Sequence, residues 1–130
     1  MDALRRLLGG LSLLYALVFA AFAVLHTGVE LGPVGQPVIV PAAIVETLCC
    51  VVLIGGGCGA LARRAWAWDG LIYTHAAALG GVLLGILALA FGPEEGADGG
   101  NALLTWYHSV MATALAAGLS GAFYVSRVRR

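Results

Sequence analysis

Four long apolar stretches decide what this chain can fold into. They run from about Leu7 to His26, from Pro41 to Leu61, from Leu71 to Phe91 and from Leu103 to Ser126. Each is close to the roughly 20 residues that cross about 30 Å of hydrocarbon as a helix. Lipid offers the backbone no hydrogen-bond partner, so a spanning segment must be a helix or part of a closed barrel. These stretches are too long for strands, and a lone hairpin would leave unpaired edges. The expected fold is all-α, an integral-membrane antiparallel four-helix bundle in which residues 1–130 form one membrane domain. The first stretch is nearer a full span than the short apolar core of a signal peptide.

Composition excludes several classes of function. The chain is 61% hydrophobic and 11% charged, with a mean hydropathy of +0.95. A soluble domain is roughly 45–50% apolar and about 25% charged. All seven basic residues are Arg, and seven acids balance them, so no basic surface is left to grip a nucleic acid. The expected surroundings are the lipid bilayer.

The punctuation agrees with the spans. Pro41 suits the first turn of a helix, where its missing N–H costs nothing. Gly92-Pro93 stops the third span. The segment from Thr27 to Val40 carries Gly28, Gly32, Pro33, Gly35 and Pro37 and reads as extended and irregular. The loop from Gly92 to Asn101 holds Glu94, Glu95 and Asp98 and reads as solvated. Arg5-Arg6, Arg63-Arg64 and Arg127, Arg129 and Arg130 all fall on one side of the spans. The positive-inside rule then puts both termini in the cytoplasm. Trp66, Trp68, Tyr73 and Tyr124 are expected at the inner interface, and Phe91, Trp106 and Tyr107 at the outer one. No internal repeat is evident.

Small residues mark helix contacts in lipid, where close packing replaces a hydrophobic drive. Gly55 and Gly59 form one pair. Ala77, Gly81 and Gly85 form a ladder on the third span. Ala114 and Gly118, with Ala117 and Gly121, form another on the fourth. The same ladders would suit a homo-oligomer or another membrane subunit.

Intramembrane polar residues carry the functional expectations. Glu46 lies about five residues into the second span, roughly 8 Å from its end. A carboxylate at that depth is expensive and is a functional-site candidate by default; the other reading is a neutral Glu hydrogen-bonded to a Tyr, a Thr or a backbone carbonyl. Tyr15 shares a helical face with Ser12, Phe19 and His26 and is the expected partner of Glu46 or of the cysteines. His26 ends the first span and His108 begins the fourth, so antiparallel packing brings them to similar depth. With Glu46 they suggest two chemistries: a cofactor site in which His26 and His108 hold a haem or a quinone, or a proton-transfer site. The other reading is a pair of interfacial histidines wetted by headgroups. His108 lies opposite Ala114, Ala117, Gly118 and Gly121, and both faces cannot be the main inward one. His75 reads as interfacial, and Cys49, Cys50 and Cys58 as small packing residues. No nucleotide loop, nucleophile elbow or zinc-helix motif is present. No catalytic residue and no metal site is expected.

The second span and its exit read Pro41, Glu46, Gly55-Gly56-Gly57 and Arg63-Arg64-Ala65. This order, with the chain length and four spans, resembles the DoxX-like small membrane proteins. The resemblance implies a small membrane subunit, in some members tied to quinone-linked respiratory complexes, and carries Glu46 as the functional position. Richness in Ala, Gly and Arg without Lys suits a high-GC bacterium, and so a bacterial inner membrane. The leading expectation is a non-enzymatic accessory or structural subunit, with a redox or respiratory complex as one assembly it would serve. The alternatives are a redox protein binding haem or quinone through His26, His108 and Glu46, and a proton-coupled transporter using Glu46.

Overall fold

A computed structural model describes residues 2–92 and 100–128. The third-loop acids Glu94, Glu95 and Asp98, the stop residue Pro93, and Arg129 and Arg130 lie outside the described residues. Four helices follow one another: α1 (Asp2–Leu25), α2 (Val40–Leu61), α3 (Ala67–Phe91) and α4 (Gly100–Val128). All four are long and apolar enough to cross a membrane. The helices outrun the expected spans at their polar ends. Asp2 sits in the first turn of α1, where its charge favours the helix dipole, and Arg5 bonds back to it at 3.2 Å.

Neighbours in sequence are antiparallel neighbours in space. Gly9 of α1 meets Gly57 and Ala60 of α2. Gly56 of α2 meets Thr74 of α3, and Gly81 of α3 meets Cys49 of α2. Gly118 of α4 meets His75 of α3. Helices α1 and α4 are joined mainly by aromatic side chains, with Phe22 stacked on Tyr107 at 3.7 Å between ring centroids. One end of the bundle therefore carries Arg5, Arg63, Arg64 and Arg127. The other carries the 26–39 connection.

The glycine run of α2 explains how tightly the first three helices cross. Gly57 lies so close to α1 that an added Cβ would stand 2.9 Å from the Gly9 carbonyl oxygen. The adjacent Gly56 faces the other way and admits the Thr74 side chain. Such backbone approach is what small residues contribute in lipid. The predicted ladders divide. Gly59 is covered by the Trp66 ring, and Gly81, Gly85 and Gly118 receive side chains from neighbouring helices. Ala114 is half-buried. Gly55, Ala77 and Gly121 do not serve this bundle: Gly55 and Ala77 face outward, and both Gly55 and Gly121 have open space where a Cβ would go. They sit off the 3–4 stripe that faces the neighbouring helices.

That stripe reveals a repeat the sequence did not announce. On α3 the buried positions are Leu71, His75, Ala78 and Val82. On α4 they are Leu104, His108, Met111 and Leu115, at the same spacing. Gly85 and Gly118 come next in register. Both helices thus present Leu-x3-His-x9-Gly, and the antiparallel pairing sets the histidine of each against the glycine of the other. His108 and Gly118 consequently share the inward face of α4, while Ala117 points out.

Large apolar side chains such as Leu14, Leu17, Leu48, Val51, Leu84 and Leu87 are exposed on the outside of the bundle. Such an apolar outer surface is compatible with a membrane-spanning bundle. The aromatic residues expected at the interfaces divide, and Trp68 is half-buried against the core at the arginine end. Trp66, Tyr73, Tyr124, Phe91 and Trp106 are exposed, whereas Tyr107 is only 6% exposed and belongs to the core.

The turn after α2 holds a backbone strain. Arg63 has φ of 55°, and its N–H and that of Arg64 donate to the carbonyls of Ala60 and Gly59. This is the double-bonded helix ending whose left-handed position glycine usually fills. A side chain there costs about 1–2 kcal/mol in backbone sterics. Arg63→Gly should therefore raise stability by about 0.5–1 kcal/mol, net of the looser unfolded chain. Thermal unfolding in detergent checks this against Arg63→Ala, which keeps the strain and should show no gain.

Candidate functional site

The site lies at the end of the bundle that carries the 26–39 connection. α1 ends at Leu25, and His26 follows with its N–H still donating to Phe22 at 2.9 Å. The connection then turns back. Gly28 and Gly32 take positive φ values of 86° and 62°, and Leu31 and Val34 pair across a tight bridge. Val38 sits so close to Gly28 that a Cβ there would approach it to 2.9 Å. The returning Ile39 N–H donates to the His26 carbonyl at 3.0 Å. The segment expected to be extended is thus folded down onto the residue that matters.

His26 and Glu46 form a buried pair. His26 Nδ1 stands 2.8 Å from Glu46 Oε2, and the side chains are 2% and 6% exposed. A carboxylate only accepts, so with Glu46 ionised the proton sits on Nδ1 and Nε2 keeps its lone pair. His26 Nε2, Glu46 Oε1 and Tyr107 Oη are all buried without a hydrogen-bond partner. Tyr107 Oη faces the Glu46 carboxylate but makes no well-formed hydrogen bond to it. Buried polar atoms are normally paired; here the Tyr107 hydroxyl and the carboxylate at least face each other, whereas His26 Nε2 has no hydrogen-bond partner.

An aromatic shell surrounds the pair. Phe22 stacks on Tyr107, whose ring also meets Phe19 edge-on at 6.2 Å and His108 at 4.7 Å. His108 lies within electrostatic range of both Glu46 and His26. Its Nδ1–H donates to the Leu104 carbonyl at 2.7 Å. Its remaining nitrogen packs against Gly85, so α3 backbone fills the space beyond it. Antiparallel packing does bring His26, Glu46 and His108 to one end, but only His26 and Glu46 touch.

The residues do not fit a haem held between the two histidines. One nitrogen of each is committed, the other nitrogen of His108 lies against Gly85 of α3, and the groove beside His26 is not lined by His108. Among the described residues, no three His, Cys, Asp or Glu side chains are placed to hold a metal ion.

Tyr15 is not the partner of Glu46. Its ring meets that of His75 edge-on, 6.1 Å away, nearer the arginine end. The tyrosine that faces Glu46 is Tyr107. His75 is not interfacial either. It is fully buried, its Nδ1–H donates to the Leu71 carbonyl at 2.8 Å, and its Nε2 has no partner. One signal for the burial of His75 lay in the sequence: Gly85 and Gly118 each stand ten residues after a histidine, and each glycine receives the imidazole of the opposing helix. Cys49 packs in the core against Gly81, Cys50 is half-buried and Cys58 is exposed; all three are free thiols.

An open apolar groove of about 480 Å³ runs beside His26, walled by Val38, Val40, Ala43, Ile44 and Leu48, with Thr27 and Thr47 as its hydroxyls. Both hydroxyls donate to their own helix, to Val24 and Ala43. No family profile, curated protein or solved structure matches the chain.

Proposed function

We propose that this chain is a small multi-span subunit of a bacterial inner-membrane redox complex, with both termini in the cytoplasm. In this reading it is accessory rather than enzymatic, and it offers the buried His26–Glu46 pair as a proton-exchange site near the outer surface. The observation that carries the reading is where the pair lies. It sits beside a groove open to the lipid-facing side and not on a polar path through the bundle. Phe19, Leu53, Val82, Met111 and Leu115 form an apolar core, and the buried His75 lies beyond it toward the arginine end. A proton wire needs closely spaced polar groups. The arrangement therefore favours exchange with something arriving from the bilayer over transport across it. Several lines support a larger assembly. Gly55 and Gly121 leave room for another helix to approach closely, and the Pro41, Glu46, glycine and arginine order resembles DoxX-like proteins.

Purification from native membranes in mild detergent, with mass spectrometry of what accompanies the chain, tests the assignment. Stoichiometric recovery of the subunits of a redox complex is expected. In that complex Glu46→Gln should lower turnover by at least about tenfold while leaving assembly intact, as loss of a proton-transfer group does. Recovery of the chain alone, or full turnover in Glu46→Gln, overturns the reading.

A further inference from the structure

The arginine end of the bundle holds a guanidinium whose charge is met on one side only. Arg5 lies on the inward stripe of α1 with Leu8, Ser12 and Phe19 and is only 7% exposed. A buried charge is stable where it is paired and its hydrogen-bonding groups are satisfied. A guanidinium has five N–H donors. In Arg5 one terminal nitrogen donates to Asp2 at 3.2 Å, and the Asp2 side chain is itself 71% exposed. Nε is buried without a partner. The side chains clustered at this end, Leu8, Ala60, Ala67, Leu71 and Ala122, are apolar. Other arginines lie close by. Gly9 meets Ala60 and Leu61 across the α1–α2 contact. Four residues earlier, about 6 Å along the axis, α1 is level with the turn that carries Arg63 and Arg64. The described charges of this end are Arg5, Arg6, Arg63, Arg64 and Arg127 against Asp2 and Asp69, and all but Arg5 are exposed.

We propose that this end of the bundle binds the phosphodiester of an anionic phospholipid, which bridges Arg5 to Arg63 and Arg64 of the α2–α3 turn. The phosphate meets Arg5 at its terminal nitrogens, and Nε stays covered. Guanidinium and phosphate match in charge and in planar, paired hydrogen bonds. Basic pockets between membrane helices take such headgroups. The surroundings favour a lipid over a free anion. Trp66, Tyr73 and Tyr124 are exposed around this end, and such rings lie at headgroup depth. Leu7 and Leu61, two residues inward of Arg5 and Arg63, expose apolar side chains where acyl chains would run. A zwitterionic lipid carries the same phosphate, but its ammonium brings a further positive charge among the arginines. The arginine end is opposite to the His26–Glu46 pair, so this assignment stands apart from any proton exchange there.

Tryptophan quenching in phosphatidylcholine bilayers tests this on the full chain. Trp106→Phe leaves Trp66 and Trp68 as reporters at the arginine end. Phosphatidylglycerol with brominated acyl chains is titrated in, and its affinity is read against brominated phosphatidylcholine. A preference of about tenfold for phosphatidylglycerol is expected, and Arg5→Gln should reduce it to about twofold. Arg6→Gln removes the same charge from an exposed position on the same helix and should leave at least about fivefold. The double variant Arg63→Gly/Arg64→Gln changes only exposed side chains and should lower the preference at least about threefold. It decides the matter by itself if Arg5→Gln does not fold. Equal affinity for the two lipids overturns the proposal. Equal losses in Arg5→Gln and Arg6→Gln also overturn it, because the attraction would then be a diffuse surface charge. A preference unchanged in the turn double variant removes the bridge. Full displacement of the lipid by inorganic phosphate overturns the lipid in favour of a free anion.

Discussion

Gly85→Ala should destabilise the bundle by about 2–3 kcal/mol, the cost of overpacking a close helix contact. The added methyl group would fall on the His108 ring, and the atom it meets is Nε2. The ring has little room to move. Its Nδ1–H is bonded to the Leu104 carbonyl, and Tyr107 packs against it. His108→Ala empties the same space, so the double variant Gly85→Ala/His108→Ala should be more stable than the sum of the single effects predicts. A coupling of at least about 1 kcal/mol is expected for residues in direct contact. The second half of the repeat supplies an internal comparison. A Cβ at Gly118 would stand 2.7 Å from His75 Cδ2. Gly118→Ala should therefore cost about 1–2 kcal/mol, with the same compensation by His75→Ala. Gly121→Ala meets nothing within 4 Å. It should be neutral or stabilising by up to about 1 kcal/mol, as alanine is the better helix former. Unfolding titrations in mixed micelles measure all of these. If Gly85, Gly118 and Gly121 respond alike, the histidine notches do not hold α3 against α4.

Breaking the His26–Glu46 pair from one side should cost about 3 kcal/mol, because it leaves a buried polar group without its partner. Glu46→Ala strands the His26 Nδ1–H, and His26→Ala strands the carboxylate. The carboxylate is the more expensive orphan, since its Oε1 is already unpaired. His26→Phe combined with Glu46→Leu removes both polar groups and keeps most of the volume. It should recover more than half of the loss, as replacement of buried pairs by apolar residues commonly does. Glu46→Gln retains an acceptor for Nδ1–H and should cost only about 1 kcal/mol. Strictly additive single effects would mean that the 2.8 Å contact carries no energy. The set also separates stability from function. The apolar double variant should fold and assemble yet exchange no protons, whereas a purely structural pair would leave activity in that variant intact.

What could be read from the chain without its structure was the part that depends on local counting. Apolar length specified four helices, and Pro41 and the stop at Gly92 marked ends to within a few residues, because in lipid only a helix lets a single segment of this length satisfy its own backbone hydrogen bonds. The depth of Glu46, His26 and His108 along their helices was legible for the same reason, since rise per residue is constant. Rotation about each helix axis was not. In a chain whose outward face is as apolar as its inward face, hydrophobic periodicity does not say which side is buried. Packing decided it. Gly56 and Gly57 set α2 against both α1 and α3, and each histidine of α3 and α4 took the notch of the opposing glycine. Those contacts turned Tyr107 toward Glu46 and Tyr15 toward His75, and left Gly55, Ala77 and Gly121 outside. The pairing of His26 with Glu46 rather than with His108 is likewise a tertiary result. The 26–39 connection folds back and bonds to the His26 carbonyl, while α3 backbone occupies the space on the free side of His108.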